Sequence, residues 1–213
     1  MTKAVTIFLF CCTIISCTHR QAPISIKGIT IDPTIKREAD KHIADSREFD
    51  AFKGRMQVYF NSGYIESHQN DSLLFSSDMK GANIPFKSFY LWHHDTLTID
   101  GAFGIWGGTG FAIDIYQNEA VLTHMLSSDD FATLAYTDYG ALLSRLEVPC
   151  TATKIVLSEI PDSTKNQVIY GYVEFKSNNF YEAKETEEAG TNGPRQKLRN
   201  NMKLYFRSAR LNL

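Results

Sequence analysis

The sequence predicts a mainly β protein: an antiparallel two-sheet sandwich, or alternatively a closed barrel, preceded by one short helix. Three observations predict it. From Arg55 onward apolar and polar residues alternate at a period of two, as in half-buried strands. Turn-forming residues interrupt that alternation about every 8–12 residues, the spacing of sandwiches and barrels. Aromatic residues make up 12% of a chain that is 43% apolar, enough large side chains to fill a core between sheets.

In chain order, Ile24, Ile26, Ile29 and Ile31 suggest an early strand. Asp32-Pro33 then reads as a helix start, an N-cap acid followed by proline at the first helical position. Ile35, Ala39 and Ile43 recur at four-residue spacing and Gly54 is a stop, so a helix is expected over residues 33 to about 52, docked on the β domain. The best-defined hairpin spans residues 110–127. A two-residue turn at Gln117-Asn118 pairs Ile115 with Ala120, Ile113 with Leu122 and Phe111 with His124, placing all six on one face. A second hairpin over residues 89–100 turns near His94-Asp95 and pairs Trp92 with Leu97 and Tyr90 with Ile99. Residues 153–158 and 168–175 flank Pro161-Asp162-Ser163 as a third, with Ile169, Gly171, Val173 and Phe175 on one face. Met202, Leu204 and Phe206 face inward on the last strand. Residues 182–201 form a polar loop, acidic first and basic after, long enough to be a mobile hairpin loop.

No motif of catalysis stands out, and no cofactor or metal is implied. The run Gly104-Ile105-Trp106-Gly107-Gly108-Thr109-Gly110 lacks the helix and lysine of a phosphate loop and reads as a bulge or tight bend. His93 and His94 are adjacent, so a regular strand would point them to opposite faces, short of the three or four convergent ligands zinc needs. Carboxylates such as Asp114 and Glu119 show no spacing that singles out a glycosidase pair. The candidate ligand-binding residues are therefore Trp92, Trp106 and Tyr116, rings that could stack on a sugar or hold a partner, and His124, which sits on an apolar face.

The N-terminus carries its own information. Lys3 precedes an apolar run from Ala4 to Ile15, too short to span a bilayer, in the order of a secretory leader. The run ends in Ile14-Ile15-Ser16-Cys17, where small Ser16 precedes the cysteine. This resembles the lipobox of bacterial lipoproteins. The resemblance implies a signal peptide at residues 1–16, acyl chains on Cys17, a tether over residues 17–31 and a single β-rich domain over residues 32–213. It further implies an extracytoplasmic protein held to the membrane by its N-terminal lipid. Thr18, in place of Asp, implies the outer membrane of a Gram-negative cell.

Loss of Lys3 with the leader takes the formal charge from −2 to −3, which argues against a nucleic-acid partner. Cys11 and Cys12 leave with the leader and Cys17 is acylated, so only Cys150 remains and no intramolecular disulfide is expected. The function these features favour is a non-enzymatic binding or structural module of the cell envelope. Its partner would be a glycan, a small ligand or an envelope protein. The alternative is an envelope hydrolase with an unrecognised carboxylate or histidine site.

Overall fold

The computed structural model describes residues 26–45, 63–76, 86–104, 108–128, 131–183 and 194–211. Among them the elements are β1 (Thr30–Ile31), α1 (Ile35–Asp45), β2 (Gly63–Gln69), β3 (Ser72–Ser76), β4 (Phe86–His93), β5 (Thr96–Phe103), β6 (Gly108–Tyr116), β7 (Glu119–Ser127), β8 (Leu134–Ala135), β9 (Arg145–Leu157), β10 (Val168–Ser177), β11 (Phe180–Ala183), β12 (Arg195–Leu198) and β13 (Asn200–Arg210). The fold is mainly β, as expected, with one short helix.

The large sheet is mostly antiparallel. Its pairings run β9-β7-β6-β5-β4-β13, and β10 joins β13 back to β9, so the hydrogen-bonded path returns on itself. The two parallel contacts are short, β1 beside β9 and the end of β13 beside β4. The N-terminal half of β13 pairs with β2 instead, so the β2–β3 hairpin projects from the ring.

The predicted registers hold. Ile115 faces Ala120, Ile113 faces Leu122 and Phe111 faces His124, around a turn whose Gln117 and Asn118 both take positive φ. Trp92 faces Leu97 and Tyr90 faces Ile99, with His94 taking positive φ at the turn. Alternation explains why. Leu97, Ile99, Phe111, Ile113, Ile169, Val173, Leu204 and Phe206 are fully buried, while most of their strand neighbours reach solvent. Slipping any strand by one residue would expose its whole apolar set.

The interior is filled from both sides, with Phe111 of β6 and Phe206 of β13 meeting at 5.3 Å between ring centroids. Gly171 faces Phe206 across the β10–β13 pair, and its missing side chain is what admits the ring: a Cβ there would lie 2.3 Å from Phe206 Cζ. A second cluster, Leu134, Leu146, Val148, Phe180 and Leu198, joins the ring to the small sheet β12-β11-β8. Thus the ends of the polar loop expected at 182–201 form a hairpin pair, Phe180 opposite Leu198 through Ala183 opposite Arg195. Residues 184–193 lie outside the described residues.

Asp32 caps the chain's entry to the helix as predicted, but Pro33 and Thr34 form a turn and the helix itself starts at Ile35. The Asp32 carboxylate accepts from Thr34 N at 2.9 Å and from Thr34 Oγ1 at 2.7 Å. It lies on the outer face of β10, β13 and β2, where Ala39 is fully buried and His42 stacks on Tyr205 at 4.3 Å. Lys36 Nζ lies 5.2 Å from the Tyr170 ring, and Tyr172 leans on Tyr205 at 4.8 Å. The tyrosines on the polar side of these strands are therefore packing under a helix. The expected continuation of α1 to about residue 52 lies outside the described residues.

The early strand is shorter than expected. Gly28, at φ 89°, turns the chain, so Ile26 is buried, Lys27 bridges to Glu119, and regular pairing resumes only at Thr30 and Ile31. Ile24 lies outside the described residues.

Cys150 is free and half-buried against the core, and burial pushes its thiol up to about 12. Because the thiolate is the reactive form, iodoacetamide at pH 8 is expected to label it only on the timescale of opening. Rapid stoichiometric labelling of the native protein, followed by mass spectrometry, would contradict this.

Candidate functional site

Side chains on the outer face of β4, β5, β6, β7 and β9 fall into cross-strand rows. One row is Lys87, Ala102, Gly110, Met125, Glu147; the next is Phe89, Asp100, Ala112, Thr123, Pro149. They alternate with core residues such as Ile99 and Phe111, which fixes their outward direction. The middle of both rows is small (Ala102 and Gly110 in one, Ala112 in the other), and the first row ends in the charged residues Lys87 and Glu147 while the second begins at the Phe89 ring. A groove of about 450 Å³ results, lined by Lys87, Phe89, Asp100, Ala102, Gly110, Met125, Arg145 and Glu147 among others. That volume is in the range of sites for small ligands. At its floor β5 and β6 approach so closely that a Cβ on Gly110 would lie 2.1 Å from the Gly101 carbonyl oxygen.

The groove is lined by charges of both signs that do not pair with one another. Burial pushes the Asp100 carboxyl up to about 6, reinforced by the nearby carboxylates Asp114 and Glu147. Asp114 itself accepts from Thr98 Oγ1 at 2.6 Å. Lys87, half-buried, and Arg145, exposed, form no ion pair among the described residues. Beside the Glu147 bank, Tyr136 exposes its ring while its hydroxyl donates to the Glu147 carbonyl oxygen at 3.1 Å.

The residues singled out from sequence are placed elsewhere and apart. Trp92 packs against the core, its Nε1 buried without a hydrogen-bond partner among the described residues. Tyr116 is exposed at the β6–β7 turn, its hydroxyl accepting from Gln117 Nε2 at 2.7 Å. Trp106 lies outside the described residues. His124 is fully buried and borders both apolar clusters, 5.3 Å from the Phe175 ring and 6.4 Å from Phe180. Its Nδ1 lies 2.8 Å from the Gly110 carbonyl oxygen, which can only accept, so Nδ1 carries the proton. Nε2 then accepts from Asn200 Nδ2 at 3.1 Å. Burial lowers its pKa to about 4 despite the Gly110 bond, so the ring is neutral at physiological pH.

His93 and His94 are exposed at the β4–β5 turn, edge-on at 4.4 Å. Among the described residues no three His, Cys, Asp or Glu side chains are grouped to hold a metal. Nor do Asp114, Glu119, His93 and His124 converge: Glu119 pairs with Lys27 at 2.7 Å at the β6–β7 turn, while His124 is interior.

Sequence reasoning missed Lys87, Phe89, Asp100, Arg145 and Glu147. The one available signal was local: pairing Tyr90 with Ile99 places Phe89 opposite Asp100 on the other face. Compared with known protein families, curated proteins and solved structures, the chain matches none.

Proposed function

We propose that this chain is a lipid-anchored binding module of the bacterial cell envelope that holds a glycan in its outer groove. The observation that carries the proposal is the groove itself: a side-chain-poor floor between Phe89 and Met125, ringed by carboxylates and cations. An apolar floor suits the C–H face of a sugar ring, and charged rims suit its hydroxyls. Placement on paired strands, rather than on loops, favours a fixed geometry. In its finer form the fold is a flattened closed ring, combining a barrel's continuous pairing with a sandwich's two facing layers. Its packed interior favours an external ligand over a lipophilic one inside.

The anchor fits this arrangement. The chain enters the described fold beside the β6–β7 turn, where Lys27 N donates to the Asn118 carbonyl oxygen at 2.8 Å. The groove opens toward the other end of those strands, by Gly104, Gly108 and Ser127. A tether at Cys17 would then present the groove away from the membrane. In the producing cell, Cys17→Ser is expected to release the protein from the membrane fraction and to stop maturation. Unchanged fractionation and precursor processing would remove the anchor from the account.

A hydrolase reading rests on one observation, the raised pKa of Asp100 near Glu147, which suits a general acid with a second carboxylate. Release of shorter saccharides on prolonged incubation would favour it, and recovery of intact glycan would favour binding alone.

A further inference from the structure

We infer that the groove selects an acidic saccharide, a chain of sugar rings bearing carboxylates, laid across the strands between Lys87 and Arg145. The inference rests on the glycan reading above and names the class of glycan.

Lys87 on β4 and Arg145 on β9 stand on opposite banks, neither in an ion pair among the described residues. Four strand-to-strand steps separate their strands, roughly 19 Å along the sheet at the usual spacing. One compact anion cannot bridge that span, whereas an extended ligand with repeated negative groups can meet both cations. The floor between them, Ala102 and Gly110, offers no charge and leaves room for sugar rings. Glu147 is exposed and already solvated, and the Asp100 carboxyl, pushed up to about 6, gives up its charge under mildly acidic conditions, so neither demands a cation from the ligand there.

Asp100 also gives the site a dependence on acidity. The charged groups facing it are Asp114 from β6 and Glu147 from β9, while Lys87 from β4 and Arg145 from β9 line the same groove. As pH falls through about 6, Asp100 loses its negative charge while both cations keep theirs. These charges then go from net negative to balanced, and a polyanionic ligand is held more tightly.

The test is calorimetric titration of the full chain in mild detergent with acidic oligosaccharides of two kinds, oligogalacturonate and oligosialic acid. Their methyl esters serve as neutral counterparts. The acids are expected to bind about tenfold more tightly than the esters. The double variant Lys87→Gln/Arg145→Gln is expected to erase that difference while its thermal melt stays unchanged. Affinity for the acids is expected to rise several-fold from pH 7.5 to pH 5, and Asp100→Asn to hold it constant. Equal binding of acids and esters would overturn the selectivity and leave the glycan reading standing. Binding of neither would overturn both.

Discussion

Gly171→Ala is expected to lower the unfolding free energy by about 3 kcal/mol, at the upper end for overpacking a filled core. The cause is local and cannot be relieved cheaply. The new methyl would sit 2.3 Å from Phe206 Cζ and 2.6 Å from Cε1, inside van der Waals contact. The Phe206 ring cannot simply swing away, because Phe111 stands 5.3 Å beyond it and both are fully buried. Urea denaturation should show the midpoint falling with an unchanged slope. Shortening the partner should return much of the loss, so the double variant Gly171→Ala/Phe206→Leu should be more stable than the sum of its parts predicts. Simple additivity would mean that the two positions are not coupled through this contact.

The second large effect is a hidden dependence on pH. His124 has its folded pKa lowered from 6.5 to about 4, so the unfolded chain takes the proton more readily. Its contribution to stability is intact above pH 6.5 and is lost as pH falls toward 4, by about 3 kcal/mol. Asp100 has its folded pKa raised from 3.8 to about 6, so its contribution is fully present below 3.8 and is lost as pH rises through 6. That change is also about 3 kcal/mol and opposite in sign. The native protein should therefore show a nearly flat stability between pH 4 and 6.5. Asp100→Asn removes one side of the balance. It should be more stable than the native protein at pH 7, by about 2 kcal/mol, and should lose about 3 kcal/mol on acidification to pH 4. The lowered carboxylates Asp32, Asp71 and Asp162 act below this window and Glu66 only at its acid edge, so most of the window is left to the two groups. A variant as flat as its parent would contradict the assignment.

These two cases mark what was legible in the sequence. Hairpin registers were, because a two-residue turn and a period of two fix each other over a few residues: Phe111 opposite His124, Trp92 opposite Leu97. The inward set Ile169, Gly171, Val173 and Phe175 was legible for the same reason. What Gly171 makes room for was not, since Phe206 is remote in sequence and reaches it only through the β10–β13 pairing. The groove was hidden in the same way. Lys87, Asp100, Gly110, Met125 and Glu147 lie on five strands, and no local pattern says that β7 pairs with β9 or β6 with β5. Aromatic residues drew attention because exposed rings often bind sugars. Here Trp92, opposite buried Leu97 in the expected register, packs on the core, and Tyr116 lies at the β6–β7 turn, away from the groove.

A nitrogen–proton correlation spectrum recorded while acidic oligosaccharide is added would locate the bound sugar residue by residue. Backbone amide signals of Ala102, Gly110, Met125 and Glu147 should move together and saturate at a common concentration, with those of Tyr170 and Tyr205 unmoved. Shifts confined to the α1 face or the β6–β7 turn, or no saturable shift in the outer rows, would contradict a groove that binds.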